Sequence, residues 1–74
     1  MATKIWSGPN NPTASVAHTL GIERWQLRNA IHAIKKDTRL GARDRVTIWD
    51  DGSVTSDIDG SWIGDIVTEI RGKA

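Results

Sequence analysis

Between Asp37 and Arg45 the spacing of apolar residues changes from helical to two-residue alternation, and this switch constrains the fold more than any other feature of the 74-residue chain. Upstream, Leu27, Ala30, Ile31 and Ile34 recur at i, i+3, i+4 and i+7, the stripe of an amphipathic helix. Downstream, Arg45-Val46-Thr47-Ile48-Trp49 alternates with period two, as a half-buried strand does. A chain with both patterns in sequence, helices first, is expected to be an α+β domain.

The helical half divides in two. Asn11-Pro12 reads as a helix start, with Asn capping and Pro at the first helical position. A short helix is expected over about Pro12 to Leu20, stopped by a left-handed Gly21 with Ile22 as the apolar contact beyond it. A longer helix is expected over about Glu23 to Asp37. Residues 1–10 show no periodicity and read as a flexible lead-in to a single domain over 11–74. Leu40 to Asp44 reads as a loop.

Register decides the turn after Trp49. A two-residue loop would set Trp49 opposite Val54. A three-residue loop, Asp50 to Gly52, sets Ile48 opposite Val54 and Thr47 opposite Thr55, which pairs aliphatic with aliphatic and hydroxyl with hydroxyl. The longer loop, with Gly52 left-handed, is expected. Asp59-Gly60 marks a second turn, and a third strand is expected over about Ser61 to Ile66. Ile63, Ile66, Val67 and Ile70 also fit a helical face, so a last helical turn stays open. The expected fold is two N-terminal helices packed on a three-stranded antiparallel meander.

Charge is unevenly distributed. Up to Val46 there are eight cations and three anions; after it, two cations and six anions. The basic half suits a polyanionic partner, although the halves would also neutralise each other in the fold. There is no cysteine, hence no disulfide or thiolate metal site. The longest apolar runs are a few residues, too short for a membrane span or a secretory signal. The Asp residues at 50, 51, 57 and 59 sit in turn sequences, where Asp is expected for backbone reasons. No motif implies a metal or a cofactor.

On a helical wheel with Leu27 at the origin, Arg24, Lys35, Arg28, Arg39 and His32 fall between about 60° and 140°, if the helix reaches Arg39. Trp25 and Lys36 lie just beyond. On the strands, Arg45, Thr47, Trp49, Ser53 and Thr55 share the face turned away from the helices, a stacking platform with phosphate donors.

Three readings follow. First, "VAHTLGIERWQLRNAI" fits a helix-turn-helix, with Ala17 at the crossing and Gly21 in the turn; the hairpin would be a wing and the second helix would read duplex DNA, without catalysis. Second, a metal-free ribonuclease needs a base and cations on the phosphate: His32 supplies the base, with Arg28 and Lys35 holding the phosphate and Ser53, Thr47 and Trp49 positioning the nucleotide. His18 is a weaker base candidate. Third, the chain is an interaction module with no chemistry.

The segments "LGI…RWQLRNAIHAIK", "LGARDRVTIWDDGSVTS" and "DGSWIGDIV" resemble the C-terminal toxin domains of bacterial polymorphic toxins, of the Rhs and contact-dependent inhibition type. The resemblance runs from about Ala17 to Glu69. It implies a fold similar to the barnase, colicin and RelE-like ribonucleases, with one strand fewer, and cleavage of tRNA or rRNA. It further implies action in a competitor's cytoplasm after delivery by a secreted toxin, with an immunity protein as partner. In colicin-type members Lys and His on a helix act with Ser and Trp on strands, which by position implies His32, Lys35, Ser53 and Trp49. The expected catalytic set is His32, Lys35 and Ser53. The expected nucleic-acid contacts are Arg24, Arg28, Lys36, Arg39, Arg45, Thr47 and Trp49.

Overall fold

The computed structural model describes residues 2–72. In chain order the elements are β1 (Lys4–Gly8), α1 (Ala14–Leu20), α2 (Arg24–Asp37), β2 (Val46–Trp49), β3 (Ser53–Ser56), β4 (Trp62–Asp65) and α3 (Ile66–Arg71). The fold is α+β, as expected, but the antiparallel sheet has four strands, ordered β1-β2-β3-β4, and its first strand precedes the helices.

Within the expected lead-in, Lys4–Gly8 is therefore a strand. Trp6, Ser7 and Gly8 pair with Ile48, Thr47 and Val46, and Lys4 pairs with Trp49. The register shifts between Lys4 and Trp6, so Ile5 is an extra residue. That bulge breaks the alternation by which a strand is recognised in sequence. Both Ile5 and Trp6 pack against the core.

Helix α1 starts later than Asn11-Pro12 predicts. Thr13 is its N-cap residue, Asn11 adopts a left-handed conformation (φ 56°), and Pro12 is buried in the approach. The helix ends as expected on Gly21 (φ 71°), with the Ile22 N–H donating to the Ala17 carbonyl at 3.0 Å. At the start of α2, the Gln26 side chain accepts from the Glu23 N–H at 3.0 Å. Its end is closed by Arg39, left-handed at φ 61°, and by the Leu40 N–H donating to the Lys35 carbonyl at 2.9 Å. The helix therefore does not reach Arg39, which leaves the cationic flank.

The hairpin has the expected register, Ile48 with Val54 and Thr47 with Thr55, and Gly52 is left-handed at φ 91°. Strand β4 is shorter than the expected Ser61–Ile66. Val54 pairs with Gly64 but Thr55 with Trp62, so Ile63 is bulged. At Asp65 the chain turns straight into α3. The Asp65 Oδ1 accepts from the Thr68 N–H at 3.0 Å, and the Ile66 N–H donates to the Gly52 carbonyl at 2.8 Å. The two periodicities that overlap in "IGDIVTEI" thus belong to consecutive elements.

One sheet face carries the core. Val46, Ile48 and Val54 are fully buried with Leu27 and Ile66, joined by Val16, Ala17, Ala30, Ile31 and Ile34. Gly64 permits the close approach of α2 to β4: a Cβ there would lie 2.8 Å from Ile34 Cγ1.

A candidate nucleic-acid groove

With Leu27, Ala30, Ile31 and Ile34 turned to the sheet, α2 exposes Trp25, Arg28, Asn29, His32 and Lys36. These side chains form one wall of a groove of about 770 Å³. The other wall comes from two connectors: Asn10, Asn11 and Pro12 after β1, and Leu40 and Ala42 after α2. Among the described residues, no carboxylate lines it.

Lys35 holds these walls together. Its residue is only 5% exposed, and its amine donates to the Pro9 carbonyl and, at 3.0 Å, to the Ala42 carbonyl. Arg24 Nε adds a 3.4 Å contact to the Pro12 carbonyl. Burial pushes the Lys35 pKa below its ordinary value, partly offset by the Asp44 carboxylate. The ammonium expected to grip a phosphate is instead bonded to two backbone carbonyls. Its wheel angle of about 80° sets it next to the apolar stripe, a signal of burial available from spacing.

The strand residues of the expected site lie elsewhere. Val54 is buried toward the helices, so the alternation of β3 turns Ser53 and Thr55 to the opposite face. Ser53 therefore stands across the sheet from His32, and the structure does not bring the expected catalytic set together. On this outer face the Trp49 indole Nε1 donates to Thr55 Oγ1 at 3.0 Å, and Trp62, opposite Thr55 in register, is 65% exposed.

Thr47 is nearly buried there, and its hydroxyl donates to Asp57 Oδ1 at 2.6 Å. Asp57 Oδ2 accepts from Ser7 Oγ at 2.9 Å and lies 3.8 Å from Arg45 Nε. The Thr47 hydrogen bond, then those from Ser7 and the Arg45 and Lys4 charges, holds the Asp57 carboxyl below the ordinary carboxylate range. By sequence Asp57 is only a turn residue, whereas here it joins β1, β2 and the β3–β4 connection. The expected contacts thus split into two surfaces: Arg28, His32 and Lys36 line the groove with Arg24 bonded to its Pro12 wall, and Arg45, Thr47 and Trp49 belong to the outer sheet face. Arg39 and His18 are exposed and line neither the groove nor this face.

Trp25 and Asn29 are groove residues outside the expected set, although their wheel positions adjoin that of Lys36. Nothing in the sequence points Asn10 or Asn11 to a groove, because their place depends on β1; Asn11 reads there only as a helix cap.

Among the described residues no group of three or more His, Cys, Asp or Glu gathers as a metal-ligand set, and no helix is long and apolar enough to cross a membrane. Comparison with protein-family models, with curated proteins and with solved structures found no match to this chain.

Proposed function

We propose that this chain binds RNA in the α2 groove and cleaves it without a metal ion. The observation that carries the reading is that Arg28, His32 and Lys36 follow one another at single-turn spacing along one wall of a groove free of carboxylates among the described residues. Side chains four apart on a helix are neighbours, about 6 Å between Cβ atoms, so a phosphate beside His32 meets a cation on either side.

In this scheme the His32 imidazole takes the 2′-hydroxyl proton. The 2′-oxygen attacks phosphorus, the bond to the 5′-oxygen breaks, and the leaving oxygen is protonated from water. Arg28 and Lys36 stabilise the charge that grows on the phosphoryl oxygens. The products are a 2′,3′-cyclic phosphate and a 5′-hydroxyl. Lys35 acts by holding the walls, and Ser53 has no part in the step. The resemblance to polymorphic toxin domains supports the same chemistry, with tRNA or rRNA as substrate and an immunity protein as inhibitor.

The test is incubation of the protein with total RNA in EDTA, followed by mapping of product ends. Wild type should yield cyclic-phosphate ends, and His32→Ala should slow cleavage by about 100- to 10,000-fold. Cleavage by His32→Ala at the wild-type rate would falsify the assignment. A second reading rests on the α1–Gly21–α2 geometry, with Ala17 buried at the crossing and Arg24 and Arg28 exposed on the second helix. It is DNA binding without catalysis, and sequence-selective duplex binding with no RNA cleavage would establish it instead.

A further inference from the structure

We infer that Trp25 is a stacking platform for a nucleobase, so that the occupant of the groove is a single strand whose base lies on the indole while its phosphates meet Arg28 and Lys36. This rests on the reading of the groove as an RNA site. It adds the conformation of the substrate and a binding residue that the catalytic scheme does not use.

Trp25 is 62% exposed, in a chain whose buried core is built without aromatic rings from Ile, Val, Leu and Ala. It stands at one end of the groove wall. Along α2 it precedes His32 by seven residues, about 10 Å of axial rise, with Arg28 and Asn29 between them and Lys36 about 6 Å beyond. An apolar ring at one end of an acid-free cationic wall matches the two parts of a nucleotide, a π-face and an anion. A duplex offers the anions but keeps its base faces stacked inside. A protein partner carrying acidic side chains would use the cations and leave no role for the indole at this position. Asn29, one turn after Trp25, brings an amide to where the edge of a stacked base would lie, and amides present both a donor and an acceptor to base edges.

The indole also borders a smaller pocket of about 380 Å³ between α2 and α3, lined by Ala30, Ala33 and Ile70 together with Gln26, Asn29 and Glu69. Substitution of Trp25 must therefore be controlled for packing as well as for stacking. Leucine and phenylalanine serve this purpose: both keep apolar bulk against Ile70, and only phenylalanine keeps a π-face.

The experiment measures binding of the full chain to a short fluorescent 2′-O-methyl oligoribonucleotide, which carries bases and phosphates but no nucleophile. Trp25→Ala and Trp25→Leu should each weaken binding by roughly 5- to 150-fold, the range for losing one stacked base. Trp25→Phe should restore most of the affinity, and the same oligonucleotide annealed to its complement should bind at least about tenfold more weakly. Wild-type affinity in Trp25→Leu, or equal affinity for strand and duplex, overturns the stacking role. If Arg28→Ala and Lys36→Ala weaken binding while Trp25→Leu does not, the RNA groove stands and the platform falls. If the wild-type chain binds no oligonucleotide, both are overturned.

Discussion

Replacing Gly64 by alanine tests the packing on which the fold turns, and the sign of its effect should depend on Ile34. A Cβ on Gly64 would lie 2.8 Å from Ile34 Cγ1, 2.9 Å from Cδ1 and 3.0 Å from Cγ2. Carbon atoms prefer about 3.5–4.0 Å, so three contacts are compressed at once. Ile34 is buried on the sheet-facing side of α2, so any shift of its side chain must be taken up by the surrounding core. Overpacking of this kind costs about 1–3 kcal/mol. Alanine recovers about 0.5–1 kcal/mol over glycine within a strand, because less chain entropy is lost. The net loss expected for Gly64→Ala is about 0–2.5 kcal/mol, and each kcal/mol moves the Tm of a chain this size by about 4–8 °C. Ile34→Ala alone should cost about 2–5 kcal/mol. In that background all three opposing atoms are gone, so Gly64→Ala should become stabilising by about 0.5–1 kcal/mol. Ile34→Val keeps both γ-carbons, and there the alanine should still destabilise. Urea unfolding followed by circular dichroism gives the four free energies of each cycle. An equal effect of Gly64→Ala in the wild-type and Ile34→Ala backgrounds would refute the argument.

Two further outcomes follow from the buried polar groups. Lys35→Met removes two charge-assisted hydrogen bonds to the Pro9 and Ala42 carbonyls, each worth about 1.5–3 kcal/mol, and relieves the desolvation of an ammonium. A net loss of about 2–4 kcal/mol is expected in urea unfolding, and a loss under about 0.5 kcal/mol would show that Lys35 does not tie the connectors. Asp57 has a depressed pKa in the fold, so its contribution is present above the ordinary carboxylate value and is lost as pH falls through the folded one. Wild type should therefore exceed Asp57→Asn in stability at neutral pH, with the gap closing below about pH 4. Parallel stability–pH curves for the two proteins would contradict the network of Ser7, Thr47 and Arg45.

What can be read from sequence is local. The Gly21 stop, the core stripe of α2 and the Ile48–Val54 register each depend on spacing within a few residues or on the conformation a glycine allows. Strand β1 is not legible, because the bulge at Ile5 removes its alternation and its partner lies about forty residues away. The missing strand carries the missing wall: Asn10 to Pro12 follow directly from it. The charge of Lys35 argues for a phosphate-binding cation, yet its angle beside the apolar stripe is the better guide. Resemblance joins Ser53 to His32, whereas alternation from buried Val54 sets it on the far face. The strand-to-helix change at Asp65 is legible only as an ambiguity, since Ile66 serves both patterns.

The Lys35 bridge bears on which amides open together. The carbonyls it engages belong to Pro9, just past the end of β1, and to Ala42, just before β2. A ligand clamped between α2 and these connectors would resist peeling of the edge strand, because that motion carries one wall away. Hydrogen exchange should register this as slower exchange in Trp6 to Gly8 when the groove is filled, although no residue of β1 lines it. Binding would thus be felt along the first strand as a longer closed lifetime, at a distance from any direct contact.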